Sequence, residues 1–187
     1  YRLVNKTVER RNVYLRGDCQ LTLKGSTAKT SFHVSAGARL ILDGSRLLGR
    51  SPIYLRGGEL TMRGGEIQAT DTGVAVYGGK ATLTNVQIVA KRAGIRVSNS
   101  GTLTMTGGTV QVSRRHAIGV RFDGTSKGTL TKVTVGGGRL GFYLSRSAEV
   151  TLLGATVSGK YGAAKVYGGA ALMHRDCTFS GKLRTSS

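Results

Sequence analysis

A pair of apolar residues, two positions apart, recurs eight times along this chain, and the spacing of the pairs constrains the fold more than any other feature. The first members of successive pairs are separated by 19 to 25 residues. A repeat of that length is typical of stacked architectures, in which one unit cannot bury its apolar face alone and its neighbours complete the burial. The chain is therefore predicted to be a solenoid. The eight pairs are Val13/Leu15, Phe32/Val34, Ile53/Leu55, Val74/Val76, Ile95/Val97, Val120/Phe122, Phe142/Leu144 and Ala164/Val166.

The other apolar positions identify the kind of solenoid. A second apolar pair, for example Leu40/Leu42, keeps the same repeat, and a third apolar position such as Leu47 follows five residues later. Polar residues alternate with these positions, which is the period of a strand rather than of a helix. Glycines between the segments, such as Gly94, permit tight corners. We predict an all-β fold, a single-stranded parallel β-helix of about eight rungs, right-handed because parallel crossovers strongly prefer that hand.

The repeat runs through nearly the whole chain, and no change in composition marks a linker. We therefore predict one β-helix domain over residues 1–187. Residues 1–12 contain no clear copy of the repeat and are predicted to cap the N-terminal end of the coil. Residues 182–187 are predicted to form a frayed tail. No stretch has the roughly 20 apolar residues of a membrane-spanning helix, so we expect no membrane insertion. No basic-then-apolar leader is visible at Tyr1, which leaves a mature fragment or a cytoplasmic chain open.

Cysteine, histidine and acidic residues do not form a recognisable site. Cys19 and Cys177 fall at inward positions about seven rungs apart, too far for a disulfide, and are expected to be small buried residues. The three histidines lie in different registers, and the nine acidic residues are scattered without an Asp-x-Asp pair. We therefore expect neither a metal site nor a cofactor.

The charge of the chain is strongly positive. Twenty-eight Lys and Arg residues against nine Asp and Glu residues give a net charge of +19, which predicts attraction to polyanions. Diffuse charge that only keeps a β-rod soluble is the alternative. Several basic residues, however, recur three positions before the apolar pair and would form a ladder along one corner of the coil. This corner ladder consists of Lys29, Arg50, Asp71, Arg92, the inserted Arg114-Arg115-His116, Arg139 and Lys160.

A second set of residues lies between the two members of each apolar pair and should point outward in a column. The outward column is predicted to contain Tyr14, His33, Tyr54, Ala75, Arg96, Arg121, Tyr143 and Lys165. Interleaved tyrosines would separate the cations and offer planar faces to sugars or to guanidinium groups. Arginine binds sulfate, phosphate and carboxylate through two parallel hydrogen bonds, which suits a linear polyanion. The candidate polyanion-binding residues are Lys29, Arg50, Arg92, Arg96, Arg114, Arg115, Arg121, Arg139, Lys160 and Lys165.

The sequence also favours one class of ligand and one centre for the binding face. Sulfated glycosaminoglycan is favoured over nucleic acid, because no known nucleic-acid-binding module fits this strand pattern and few aromatic residues are present for base stacking. The longest rung inserts residues 113–117, and insertions on a rigid scaffold often carry recognition; a tolerated insertion is the alternative. We hypothesise that Arg114, Arg115 and Arg121 lie at the centre of the binding face.

Two other functions are weighed against binding. An enzyme acting on acidic polysaccharide would need paired carboxylates or clustered acidic calcium ligands, and the scattered acids argue against both. A lyase that used Arg96, Arg121 and Tyr143 stays open as the alternative, but we expect no enzyme. Threonine columns resemble those of ice-binding solenoids, yet Asp43 and Arg63 would interrupt the flat face.

Three segments resemble a known family, the passenger domains of bacterial autotransporters. The segments are 58–67, 72–79 and 101–110, with the sequences GELTMRGGEI, TGVAVYGG and GTLTMTGGTV, and the resemblance covers residues 38–181. It implies a β-helix that is secreted or displayed on the bacterial cell surface. The basic composition is most similar to the secreted angiogenic-factor type, which implies a vascular endothelial growth factor receptor as a partner, with host heparan sulfate as a second partner. The Gly-Asp-Ser-Gly-Gly motif of the protease type is absent, and a simple adhesin is a further alternative.

Overall fold

Parallel strands wind into a coil of about nine turns in the computed structural model, which describes residues 1–186. Every described element is a strand. Each turn contributes one segment to each of three sheets, called here sheet 1, sheet 2 and sheet 3 in the order in which the chain visits them. The parallel β-helix predicted from the repeat is therefore confirmed, and the ninth turn comes from the two chain ends.

The strands follow one another with short corners between them. In chain order they are β1 (Arg2–Val4), β2 (Thr7–Leu15), β3 (Gln20–Lys24), β4 (Thr27–Ser35), β5 (Arg39–Asp43), β6 (Arg46–Gly49), β7 (Ile53–Arg56), β8 (Glu59–Arg63), β9 (Glu66–Ala69), β10 (Thr72–Tyr77), β11 (Lys80–Ala90), β12 (Ala93–Ser98), β13 (Thr102–Val112), β14 (Ile118–Phe122), β15 (Lys127–Thr131), β16 (Thr134–Gly137), β17 (Leu140–Ser145), β18 (Glu149–Leu153), β19 (Thr156–Ser158), β20 (Gly162–Tyr167), β21 (Ala171–Arg175), β22 (Thr178–Ser180) and β23 (Leu183–Ser186).

The longer strands bend at a corner and so belong to two sheets. Sheet 1 contains β1, β3, β5, β8, the first halves of β11 and β13, β15, β18 and β21. Sheet 2 contains the first halves of β2 and β4, then β6, β9, the second halves of β11 and β13, β16, β19 and β22. Sheet 3 contains the second halves of β2 and β4, then β7, β10, β12, β14, β17, β20 and β23.

The core is the continuous apolar interior of the coil. From Phe32 onwards, the recurring apolar pairs point inward, and Phe32, Phe122 and Phe142 are completely buried. Close packing also explains a column of glycines at the start of sheet 3. A Cβ atom on Gly94 would lie 2.6 Å from the carbonyl oxygen of Gly119 in the next turn and would collide with the Val110 side chain. Glycine therefore lets sheet 2 and sheet 3 meet at this corner.

The two ends of the chain correct part of the sequence prediction. Residues 1–12, predicted to be a cap, form β1 and most of β2, which pair in parallel with β3 and β4 as a first turn whose register shifts between Glu9 and Asn12. Residues 183–186, predicted to be frayed, form β23, which pairs with β20. The repeat was missed there because Thr185 takes the place of the second apolar residue. Ser187, the last residue of the predicted tail, lies outside the described residues.

The remaining structural predictions concern cysteines and polar groups. Cys19 and Cys177 are free, as predicted, and each is half-buried against the core. Within residues 1–186, no three His, Cys, Asp or Glu side chains are grouped so that they could hold a metal ion. The same part of the chain contains no helix that is long and apolar enough to cross a membrane.

Candidate polyanion-binding face

The outward column of sheet 3 has the register that the repeat predicted. Each member lies beside its counterpart in the next turn, for example Arg96 beside Arg121 and Arg121 beside Tyr143. The column extends by one residue beyond the prediction, since Lys165 pairs with Arg184 in β23. The full column is Tyr14, His33, Tyr54, Ala75, Arg96, Arg121, Tyr143, Lys165 and Arg184.

Four aromatic rings stack along the first four turns of this face. The ring centroids of Tyr14 and His33 are 4.8 Å apart, those of His33 and Tyr54 5.5 Å, and those of Tyr54 and Tyr77 4.8 Å. Tyr77 follows the apolar pair of its turn and takes the place in the stack that the small side chain of Ala75 leaves free. The rings therefore cover one another's faces, and the expectation that they offer free planar faces to sugars is wrong for the inner rings of the stack.

Guanidinium groups lie against the rings of this face. The Cζ atom of Arg16 is 5.5 Å from the Tyr14 centroid, and that of Arg56 is 5.1 Å from the Tyr54 centroid. Neither arginine was a predicted site residue, because each directly follows an apolar pair, a position that carries no repeated residue type. Cation–π attraction holds these side chains in place. The rings thus orient cations along the face instead of providing a stacking surface.

Arg96 and Arg121 occupy the centre of the column and diverge. The Arg96 guanidinium lies 5.5 Å from the Tyr77 ring and that of Arg121 lies 5.0 Å from the Tyr143 ring, which separates two like charges in neighbouring turns. The Nε atoms of both arginines are buried and have no protein acceptor among the described residues. Burying an unpaired donor costs free energy. Both side chains are therefore held in place at a cost in free energy.

Three aromatic side chains of the face, His33, Tyr77 and Tyr143, have pKa values that are shifted by their surroundings. Burial lowers the pKa of His33 below its usual 6.5, and the nearby Arg56 charge lowers it further. Burial raises the pKa of Tyr77 above 10.0, against the opposing charge of Arg96. Burial also raises the pKa of Tyr143, and its neighbour Tyr167 adds to this rise. The hydroxyls of Tyr77 and Tyr143 therefore remain protonated donors, and the positive charge of the face comes from arginine and lysine.

The carboxylate of Asp123 lies at the edge of sheet 3 that follows β14. Burial alone would raise the pKa of Asp123, but its Oδ1 atom accepts hydrogen bonds from the Ser145 hydroxyl at 2.9 Å and the Gly124 N–H at 2.9 Å. The charges of Arg146, at 3.5 Å, and Arg121, at 3.7 Å, act in the same direction. The net result is a pKa below the usual 3.8. Asp123 therefore fixes one side of Arg121.

This depressed pKa predicts a pH-dependent stability difference between the natural chain and Asp123→Asn. A group whose folded-state pKa is depressed stabilises the fold above its unfolded pKa and loses this effect as pH falls through its folded pKa. We expect Asp123→Asn to melt at a lower temperature than the natural chain at pH 7, with the difference decreasing as the pH falls below 3.8 and disappearing once the pH lies below the folded-state pKa. Thermal unfolding followed by circular dichroism, at pH 7 and at a pH below the folded-state pKa, measures this difference in melting temperature. An equal difference at the two pH values would contradict a depressed pKa for Asp123.

The corner ladder runs along the junction between sheet 2 and sheet 3 from Arg50 onwards, and part of it is neutralised. Its first predicted member is wrong, because Lys29 lies within sheet 2 in register with Leu48 and not with Arg50. Backbone hydrogen bonds of 2.9 Å from Asp71 to Arg50 and 3.0 Å from Arg92 to Asp71 link successive turns. The Asp71 carboxylate lies 3.8 Å from Arg50 and 3.9 Å from Arg92. In the first turns Lys29 forms a 2.7 Å ion pair with Glu9. Over the described residues, no carboxylate lies within 4.0 Å of the later ladder cations, Arg114, Arg115, Arg139 and Lys160.

The insertion at residues 113–117 divides the predicted centre of the site into two. Ala117 is completely buried in a small cluster with Val112 and two alanines, which anchors the loop. Arg114 and Arg115 line an open groove of about 530 Å³ together with Lys160. Arg121 instead lines a cleft of about 360 Å³ on the other side, together with His116. The three arginines of the hypothesis therefore lie in two neighbouring depressions. Arg114 and Arg115 line the groove at the corner, and Arg121 lines the cleft on the sheet 3 face.

The distribution of acidic residues distinguishes this face from the rest of the rod. On sheet 1, several cations are matched by carboxylates: Arg39 and Glu59 lie 3.0 Å apart, and Lys127 and Glu149 lie 2.9 Å apart. A third pair, Lys24 and Asp43, lies at 3.9 Å. The outward column of sheet 3 contains no carboxylate in any of its nine turns. Over residues 1–186, sheet 1 thus carries both signs of charge, with Arg63 and Lys80 outside its ion pairs, whereas the outward column carries only cations and neutral side chains.

Comparison with known proteins gives one family match. A family described as "Right handed beta helix region" matches residues 10–181, which agrees with the predicted hand of the coil. No curated protein and no solved structure is similar enough to this chain to be matched.

Proposed function

Because this chain belongs to the right-handed β-helix family, in which a rigid coil fixes side chains at a spacing of one turn, we propose that it is a surface-recognition module for a linear polyanion. The ligand class is a sulfated glycosaminoglycan. The binding face is the outward column of sheet 3 together with the corner ladder.

The observation that carries this proposal is the column of sheet 3 without carboxylates, beside a sheet 1 in which carboxylates are interspersed among the cations. Charge that served solubility alone would not need to be separated in this way. Turns repeat at about 4.8 Å along the rod, so the column offers a cation or a neutral donor at every step except Ala75. Arg96 and Arg121 present planar groups that match sulfate and carboxylate.

The same geometry favours a polysaccharide over single-stranded nucleic acid. Proteins that bind single strands stack bases on exposed aromatic faces. Here Tyr54 lies between His33 and Tyr77, and Tyr77 lies between Tyr54 and Arg96, so their faces are already occupied. The tyrosine edges carry hydroxyl groups, which can donate to sulfate oxygens.

The proposed role does not require catalysis. A lyase would need a base near the anionic sugar, and burial raises the pKa of both Tyr77 and Tyr143, which opposes their acting as bases at neutral pH. We expect no shortening of heparin or polyuronate chains during incubation with the protein. The appearance of shorter, unsaturated oligosaccharides would favour the lyase alternative.

The family resemblance of segments 58–67, 72–79 and 101–110 extends the proposal to a secreted bacterial passenger domain of the angiogenic-factor type. Binding to heparan sulfate would concentrate the rod at host cells, where a growth-factor receptor makes a second contact. Phosphorylation of vascular endothelial growth factor receptor on treated endothelial cells tests this extension. We expect the protein to induce receptor phosphorylation, and we expect this phosphorylation to decrease after enzymatic removal of heparan sulfate. If the protein induces no phosphorylation in cells that retain their heparan sulfate, the receptor is rejected as a partner.

Retention on immobilised heparin over a series of salt concentrations tests the polyanion proposal itself. Neutralising several anionic groups releases counterions, so affinity should fall steeply with salt. Desulfated heparin and polyuronate are the comparison ligands, and we expect weaker binding to both. Weak heparin binding with little dependence on salt would mean that the charge of +19 is diffuse.

The groove beside the insertion gives a separate prediction. We expect Arg114→Glu with Arg115→Glu to weaken heparin binding about tenfold or more, since two attractions become repulsions, while the melting temperature stays nearly unchanged because both residues are exposed. Adding Arg121→Glu should weaken binding further if one chain spans both depressions. The control is Arg63→Glu with Lys80→Glu on sheet 1; an equal loss there would place the groove outside the site.

A further inference from the structure

The cleft on the sheet 3 side of the insertion differs in chemistry from the rest of the face. Its volume is about 360 Å³. The guanidinium-bearing residues Arg92, Arg96 and Arg121 line it, together with the carboxylate-bearing Asp71. The other candidate groove of this corner, beside Arg114, has no acidic residue in its lining. A carboxylate among three arginines repels an anionic ligand, so attraction of negative charge alone does not explain the presence of Asp71 in this cleft.

The cleft exists because one position of the outward column is small. Ala75 lies in register between Tyr54 and Arg96. Tyr77 takes up part of the space that the small side chain of Ala75 leaves, and the remainder is a recess lined by Ala75 and by its larger neighbours. Tyr54 and Tyr77 form one wall of the recess. The recess is thus built from the register of the coil and is not a gap between mobile loops.

The Asp71 carboxylate lies in the cleft, and its two ion pairs leave its oxygens able to accept hydrogen bonds. Its side chain is 25% exposed, and the distances of 3.8 Å to Arg50 and 3.9 Å to Arg92 are longer than hydrogen bonds. The carboxylate oxygens can therefore accept hydrogen bonds from a ligand. A ligand suited to this cleft carries an anionic group for the arginines and hydroxyl donors for Asp71. Phosphate polymers offer the first and lack the second, whereas an acidic sugar residue offers both.

We propose that this cleft is the subsite that binds one acidic sugar residue of the polysaccharide. The carboxylate or sulfate of that residue lies against Arg96 and Arg121, and its hydroxyl groups donate to Asp71. This inference rests on the proposed function and names the position on the face where a sugar is distinguished from other polyanions. The rest of the column and the corner ladder then supply charge attraction without distinguishing between polyanions.

The test uses Asp71→Ala and two probes, a heparin tetrasaccharide and a polyphosphate of similar charge, with affinities measured by isothermal titration calorimetry. Removing the carboxylate should strengthen polyphosphate binding, because a negative charge is lost from the face. The same change should weaken tetrasaccharide binding about tenfold, because hydrogen bonds to a charged acceptor are lost. The matched control is Asp43→Ala on sheet 1, which removes the same charge away from the cleft and should change both affinities slightly in the same direction.

A second variant tests the cleft without changing charge. Ala75→Leu should fill the recess, lowering tetrasaccharide affinity about tenfold while leaving polyphosphate affinity within twofold. Circular dichroism melting checks the fold of each variant. If Asp71→Ala strengthens the binding of both ligands equally, or if Ala75→Leu leaves tetrasaccharide affinity unchanged, the proposal of a sugar subsite is wrong, whereas the proposal of polyanion binding stands. If the unaltered protein binds neither probe, the proposed function itself fails.

Discussion

Replacing Arg96 and Arg121 together by glutamine should lower the affinity for heparin about a hundredfold or more at physiological salt. Each guanidinium can form two parallel charge-assisted hydrogen bonds with a sulfate or carboxylate. Bonds of this type contribute about 1.5 to 3 kcal/mol each, and about 1.4 kcal/mol corresponds to a factor of ten in affinity. Isothermal titration calorimetry with size-defined heparin fragments measures the change.

The matched control for this prediction removes the same charge from another face. Arg63→Gln with Lys80→Gln changes two exposed cations of sheet 1, in β8 and β11, and should lower affinity only a few-fold through the reduced net charge. The slope of affinity against salt should decrease in the Arg96/Arg121 variant and stay nearly unchanged in the control. Equal losses in the two variants would show that total charge, and not this face, determines binding.

Gly94→Ala should destabilise the coil by about 3 kcal/mol. The added Cβ atom would lie 2.6 Å from the Gly119 carbonyl oxygen and would collide with the Val110 side chain, so β12 has to move away from its neighbours. Backbone and a buried side chain surround the site, which leaves few ways to relieve the contact. Because Arg96 lies two residues further along β12, the shift should also reduce heparin affinity. Urea unfolding and heparin titration measure the two effects.

Gly44→Ala is the control for Gly94→Ala, because it introduces backbone strain at a positive φ without steric crowding. Gly44 has a φ of 56°, and nothing lies within 4 Å of a Cβ built on it. An alanine there is strained only in its backbone, which costs about 1 kcal/mol. We expect a smaller loss of stability than for Gly94→Ala and no change in heparin affinity. Similar losses for both variants would contradict the claim that close approach of the turns sets the requirement at Gly94.

The register of the binding face could be predicted from the sequence because two periods act together. Strand alternation places the residue between two inward apolar residues on the outside, and the regular spacing of the pairs stacks it on its counterpart in the next turn. Arg96 and Arg121 are separated by a 25-residue step that contains the insertion, yet they pair directly, because the loop bulges out at the corner while the strands keep their register.

The directions of side chains across neighbouring turns could not be predicted in this way. Tyr77 reaches the aromatic stack from the position after its apolar pair, and it does so because Ala75 leaves room beside it. Arg16 and Arg56 depend likewise on the rings beside them. Such choices depend on which side chain stands one turn away, and a repeat pattern does not contain that information. The separation of Arg114 and Arg121 into two depressions follows from the burial of Ala117, a residue that the sequence marks only as small.

Protection of lysines from acetylation by bound heparin tests the central claim most directly, because every lysine reports on its own face in one experiment read by mass spectrometry. Lys160, at the corner ladder, and Lys165, in the outward column, should be strongly protected. Lys24 and Lys80 on sheet 1 and Lys132 at the end of sheet 1 are exposed and should react as fast with heparin as without it. Protection confined to the first two lysines would place the polyanion on sheet 3 and its preceding corner. Equal protection of all five would contradict the account and show that heparin coats the rod without a preferred face.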